Sequence, residues 1–326
     1  MFARPHPAGF DPPPRFDRAA RIIESGRGDG FGTGDVLRSE RTGQEGRPSP
    51  TGLSKVAGDV VVAFDDVSVG AFGDGCPLLL LHGAVQTRAV WEAQVGALAP
   101  RRRLIVPDLR GHGDTSLGHC PLTVERLACD AFRLLDALQI QRAAICGVSL
   151  GGMVALEMAA RSPDRVACLV LSNTPTSLTS IAWLRWLIDR LDPQELLPIA
   201  FRFLGQAATA RLGLGIASRI VGPQWVGHVA RRHFIRGFQH MSPEAIVATY
   251  GAIVSALPVD PGRIRCPALL IAGRRDAPSI VAQMTELAGT LTDAHLEWVP
   301  AGHVASLDDP DGFNRLALRF LDRQGV

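Results

Sequence analysis

Several protein classes are excluded by what this chain of 326 residues lacks. No apolar run approaches the eighteen or so residues that a membrane-crossing helix needs. The first residues also lack the continuous apolar stretch of a secretory signal. Lysine is almost absent, with Lys55 the single example. A formal net charge of +2 leaves no excess of positive charge for a nucleic-acid backbone or an anionic membrane surface. None of the six cysteines (Cys76, Cys120, Cys129, Cys146, Cys168 and Cys266) is spaced C-x-x-C from another, and a chain this long needs no disulfide staples. The expectation is a soluble cytoplasmic protein with free thiols, no nucleic-acid partner and no membrane partner; its oligomeric state is not legible.

What is present is enough apolar material for a large core: hydrophobic residues make up 46% and charged residues 20%. Residues 1–57 are rich in Gly, Pro, Arg and Asp, a composition that cannot offset its ordering entropy by burial. They are expected to be a disordered extension outside the fold. From residue 58 short apolar runs begin: a leading hairpin at 60–62 and 67–69 with Asp65-Asp66 near its turn, then 78–81, 104–106, 143–146, 166–171, 268–272 and 296–299. Runs of this length between Gly, Pro and Asp suit strands buried on both faces of a mostly parallel sheet, here eight-stranded. Helical segments alternate with them at 87–98, 123–138, 150–162, 279–291 and 309–323, with Thr123 a candidate N-cap. The alternation breaks at 176–256, which holds amphipathic stretches at 181–191 and 225–238 but no good strand. This segment is expected to be a helical cap inserted between two core segments, 58–175 and 257–326.

The chemistry centres on Gly147-Val148-Ser149-Leu150-Gly151, which joins an expected strand to an expected helix. A tight turn there holds a serine hydroxyl exposed at the sheet edge, and the helix start offers free N–H groups beside it. A serine capping an ordinary strand-to-helix turn would give the same five residues. Asp276 ends a strand-like run at its C-terminal edge, where open sheets bind ligands, and His303 follows the last such run. Asp276 would orient the imidazole and His303 would carry the proton. The residue after the strand that follows Ser149 is Asn173, not an acid, which favours Asp276. His82-Gly83-Ala84 follows the 78–81 run, and the Ala84 and Leu150 amides are the expected donors of an oxyanion hole. The segment Asp108 to Thr115 is expected to be a structural turn beneath the site.

Together these segments resemble the α/β-hydrolase superfamily over residues 58 to 323, and the order Ser, acid, His is characteristic of that fold. Within it, Leu122 to Leu127, Cys146 to Val154 and Leu169 to Thr174 are similar to 3-oxoadipate enol-lactonases. Asp276-Ala277-Pro278-Ser279 and Ala305-Ser306 depart from that group's pattern. The resemblance implies a serine hydrolase of a small-molecule carboxylic ester or lactone, acting through an acyl-enzyme with no metal or organic cofactor. A C–C bond hydrolase, a cofactor-free perhydrolase and a thioesterase or cyclase would use the same three residues. A non-catalytic ligand receptor is the alternative from another class. An arginine of the cap turned into the cleft would suit a substrate carboxylate, and Trp183 and Trp186 are candidates to line the pocket or pack the cap.

Overall fold

A computed structural model of the chain describes residues 21–24, 60–64, 67–178 and 193–326. Three antiparallel strands open the sheet: β1 (Arg21–Glu24), β2 (Val60–Phe64) and β3 (Val67–Phe72). Then come β4 (Cys76–Leu81), α1 (Glu92–Leu98), β5 (Arg102–Pro107), α2 (Val124–Ala137), β6 (Ala143–Val148), α3 (Leu150–Arg161) and β7 (Val166–Ser172). The described residues between β7 and β8 carry α4 (Pro193–Leu204), α5 (Gln206–Val221), α6 (His228–His240) and α7 (Pro243–Ser255). The chain closes with β8 (Ala268–Gly273), α8 (Pro278–Thr290), β9 (Ala294–Val299), α9 (Ala305–Asp308) and α10 (Pro310–Arg323).

The strands form one sheet in the order β1-β2-β3-β5-β4-β6-β7-β8-β9, parallel from β5 to β9. This is the α/β architecture expected, with one correction. The sheet has nine strands rather than eight, because residues 21–24, expected to lie outside the fold, pair antiparallel with β2. A four-residue edge strand needs only backbone pairing on one side. The pair Ile22-Ile23 is too short a signal against its Gly- and Pro-rich surroundings. The turn residues Asp65 and Asp66, the expected helix at 181–191, and Arg185, Arg190, Trp183 and Trp186 lie outside the described residues.

Alternate residues of the central strands feed two cores. Leu79, Leu81 and Ile145 pack under α2, α3 and α8, while Leu78, Leu80 and Cys146 pack against Trp91, Phe313 and Phe320 on the other face. Every residue of β6 is buried, as two-sided coverage requires. Thr123 caps α2, its hydroxyl accepting from the Arg126 amide at 3.1 Å. This frame brings the C-terminal ends of β4, β6, β7 and β8 to one edge, where His82, Ser149, Asn173 and Asp276 emerge.

Candidate active site

Ser149 sits between β6 and α3 with φ 52° and ψ −116°, a conformation few non-glycine residues adopt. Its amide donates to the Ser172 carbonyl at 3.0 Å, which ties the turn to β7. The crowding around it accounts for the flanking glycines. A Cβ on Gly147 would lie 2.3 Å from the Gly151 carbonyl oxygen, and one on Gly151 would lie 2.1 Å from that of Leu81.

The three residues singled out in the sequence converge. The His303 and Ser149 side chains are joined Nε2 to Oγ at 3.0 Å, and His303 Nδ1 lies 3.0 and 3.1 Å from the two Asp276 oxygens. An ionised carboxylate only accepts, so the proton belongs on Nδ1 and Nε2 is left to accept from the serine hydroxyl. Asp276 is buried, and burial alone would hold its proton on. The His303 charge and hydrogen bond, with donors from Asn173 and Ala277, outweigh this and bring its carboxyl below the ordinary range. Burial likewise works against the imidazolium, but Asp276, with a smaller contribution from Asp308, raises His303 above its usual value. Asp276 therefore favours the imidazolium that forms when His303 takes a proton.

Sequence reasoning missed the groups that hold the acid. Asn173 Nδ2 donates to Asp276 Oδ2 at 2.8 Å and to the Gly302 carbonyl at 3.2 Å, while its own Oδ1 accepts from Ser172 Oγ at 2.8 Å. Trp225 Nε1 donates to Asp276 Oδ1 at 3.1 Å, and its carbonyl accepts from the His303 amide at 2.6 Å. That carbonyl is committed to His303, and α6 begins at His228 rather than at the expected residue 225. Asp308 accepts from the amides of Gly302 at 3.0 Å and Gly227 at 3.3 Å. Asn173 was visible only as a residue that is not an acid, and nothing in the sequence marked Trp225 for this role.

Ala84 lies in a turn with Val85, whose φ is 49°. The loop is pinned from three sides. The Gly83 amide donates to Gln86 Oε1 at 2.9 Å, the Arg88 amide to Asp108 Oδ1 at 2.7 Å, and the Leu109 amide to His82 Nε2 at 2.9 Å. Asp108 also pairs with the Arg88 guanidinium, so the segment expected to be a structural turn anchors the Ala84 loop. Leu150, the first residue of α3, has an amide without an intrahelical acceptor. The helices between β7 and β8 contribute an apolar cluster of Phe201, Phe238, Met241 and Ile246 around Val85. On these helices Arg202, Arg211, Arg219, Arg232 and Arg236 are exposed. Arg231 binds the Val226 carbonyl and Ser218 Oγ. None of these six described arginines is bonded to Ser149, Asp276 or His303.

Comparison with known proteins identifies relatives of the fold. Residues 77–310 match the family described as alpha/beta hydrolase fold. The chain is 28% identical to 3-oxoadipate enol-lactonase 2 of Acinetobacter baylyi, over 73% of this chain and 86% of that protein. It is 29% identical to the pimeloyl-[acyl-carrier protein] methyl ester esterase of Nitrosomonas europaea, over 76% and 96%. The crystal structure of the enol-lactonase from Burkholderia xenovorans LB400 superposes with a TM-score of 0.67 at 26% identity, covering 78% of this chain and 96% of that one.

Proposed function

The chain belongs to the alpha/beta hydrolase fold family, and from that premise we propose that it hydrolyses a small carboxylic ester or lactone with Ser149 as nucleophile. The observation that carries the reading is the continuous chain from Ser149 Oγ through His303 to Asp276, with each link at about 3.0 Å. In this reaction His303 Nε2 takes the hydroxyl proton as Oγ attacks the carbonyl carbon, and Asp276 stabilises the imidazolium that forms. The amides of Ala84 and Leu150 hold the oxyanion. Each such donor is worth about 10²–10³ in kcat. His303 then protonates the departing oxygen, and the acyl-enzyme is hydrolysed by a water that gives its proton to the same nitrogen.

Similarity to an enol-lactonase and a methyl ester esterase supports an acyl group on oxygen. The apolar cluster around Val85, with the arginines described at 202–236 exposed or engaged elsewhere, favours a substrate uncharged near its reacting carbonyl. A fluorophosphonate probe should label the native protein and not Ser149→Ala. With a p-nitrophenyl ester, the same variant should lose about 10⁴ or more in kcat. Equal labelling of both proteins would overturn the assignment.

A further inference from the structure

We propose that Trp225, on the connector between α5 and α6, is a positioning residue for this hydrolysis: its indole N–H fixes the Asp276 carboxylate while its carbonyl fixes the His303 backbone. The inference rests on the reading of Ser149, His303 and Asp276 given above.

The donors to Asp276 come from different places. Asn173 ends β7, the Ala277 amide is the next residue along the chain at 2.6 Å, and His303 follows β9. Trp225 alone among the described donors reaches the acid from the inserted helices, 51 residues away in sequence. It takes Oδ1 while Asn173 takes Oδ2, so the two donors restrain rotation of the carboxylate plane. Hydrogen bonds to an ionised acceptor are the stronger kind, and this one is shielded because Asp276 is buried.

Two further contacts join the connector to the histidine loop, and a third braces that loop internally. The His303 amide binds the Trp225 carbonyl, and Asp308 accepts from the amides of both Gly227 and Gly302. Gly302 must be glycine for this approach, since a Cβ there would lie 2.2 Å from the Trp225 carbonyl oxygen. The indole also lies against the imidazole, with ring centroids 5.8 Å apart and planes tilted by 34°. One residue of the inserted region thus touches the acid by its side chain, the base by its ring and the base's backbone by its carbonyl. The seating of this connector sets the alignment of the proton relay.

Removing the N–H while keeping the ring separates positioning from packing. The charged groups facing the relay are Asp276, His303, Asp308 and, beside Asp308, Arg275. Losing the positive end of an N–H dipole beside this pair favours the imidazolium. Trp225→Phe should therefore lower kcat about tenfold with KM little changed, and move the acid limb of the kcat/KM profile to higher pH. The downfield proton resonance of His303 Nδ1–H in the resting protein should shift as well, a readout that needs no turnover. Site-specific Trp225→3-benzothienylalanine keeps the ring shape with sulfur in place of the N–H, and should behave like Trp225→Phe even if phenylalanine packs poorly. An unchanged acid limb and an unmoved resonance in the benzothienyl variant would reduce Trp225 to packing and overturn the proposal. Fluorophosphonate labelling of the parent protein decides separately whether Ser149 is the nucleophile.

Discussion

Ser149 holds its hydroxyl against His303 by accepting a backbone conformation that burdens the fold by roughly 1–3 kcal/mol. That strain persists because β6, β7 and the start of α3 fix the residue from both sides. The hydroxyl is in place beforehand and need not be oriented when substrate arrives. The imidazole is prepared in a comparable way. Its position against Asp276 raises its pKa above 6.5, so the neutral form that can accept a proton is lost as pH falls through that raised value. The acid limb of kcat/KM should therefore lie above pH 6.5, where a free imidazole would put it. A pH–rate profile on a neutral ester checks this, and a limb at or below 6.5 would show that Asp276 does not govern the base. Asn173 belongs to the same scale, since its single side chain joins β7, the acid and the Gly302 carbonyl.

At the scale of elements, the turn from β6 to α3 is tightly constrained by the backbone packed around it. Adding one methyl group at Gly151 places it 2.1 Å from the Leu81 carbonyl oxygen and 2.7 Å from that of His82, both backbone atoms that cannot rotate away. Gly151→Ala should cost about 3 kcal/mol, the upper end of overpacking, and prise β4 from α3. Gly96→Ala on α1 meets nothing within 4 Å and should instead stabilise by about 0.4–1 kcal/mol. Urea denaturation of the two variants measures both signs. These elements were legible in the sequence because buried parallel strands appear as unbroken apolar runs, and because a serine between a strand and a helix carries its glycines with it. Asp276 and His303 were legible because each follows such a run. The missing parts are those that depend on convergence across the fold. Asn173 meets Asp276 across 103 residues and Trp225 meets it across 51, and no local pattern encodes either meeting. The edge strand β1 escaped for the opposite reason: its four residues form a pattern too local to stand out.

For the whole molecule, two buried histidines under the Ala84 loop link stability to pH. His82 is fully buried, donating from Nδ1 to the Gly83 carbonyl at 2.8 Å and accepting at Nε2 from Leu109. His112 lies beside it with ring centroids 5.0 Å apart, and its Nε2 has no partner among the described residues. Burial, first of all, lowers His82 to about 4 and His112 to about 3. In the unfolded chain both titrate near 6.5, so below that pH the unfolded state binds protons that the folded state refuses. Stability should therefore be fully present above pH 6.5 and fall as the pH drops towards 4. At 1.36 kcal/mol per unit, each histidine accounts for roughly 3 kcal/mol or more of that loss. The same protonation would break the Leu109 bond and loosen the loop that carries Ala84, so a second loss of activity should accompany unfolding, at lower pH than the acid limb set by His303. His112→Asn keeps a side-chain N–H for the Arg110 carbonyl, now bound at 3.0 Å, and removes one of the two titrations. Urea denaturation at pH 7 and pH 5 should show a smaller loss of stability in this variant than in the parent. An equal loss in both would mean that acid destabilisation enters elsewhere.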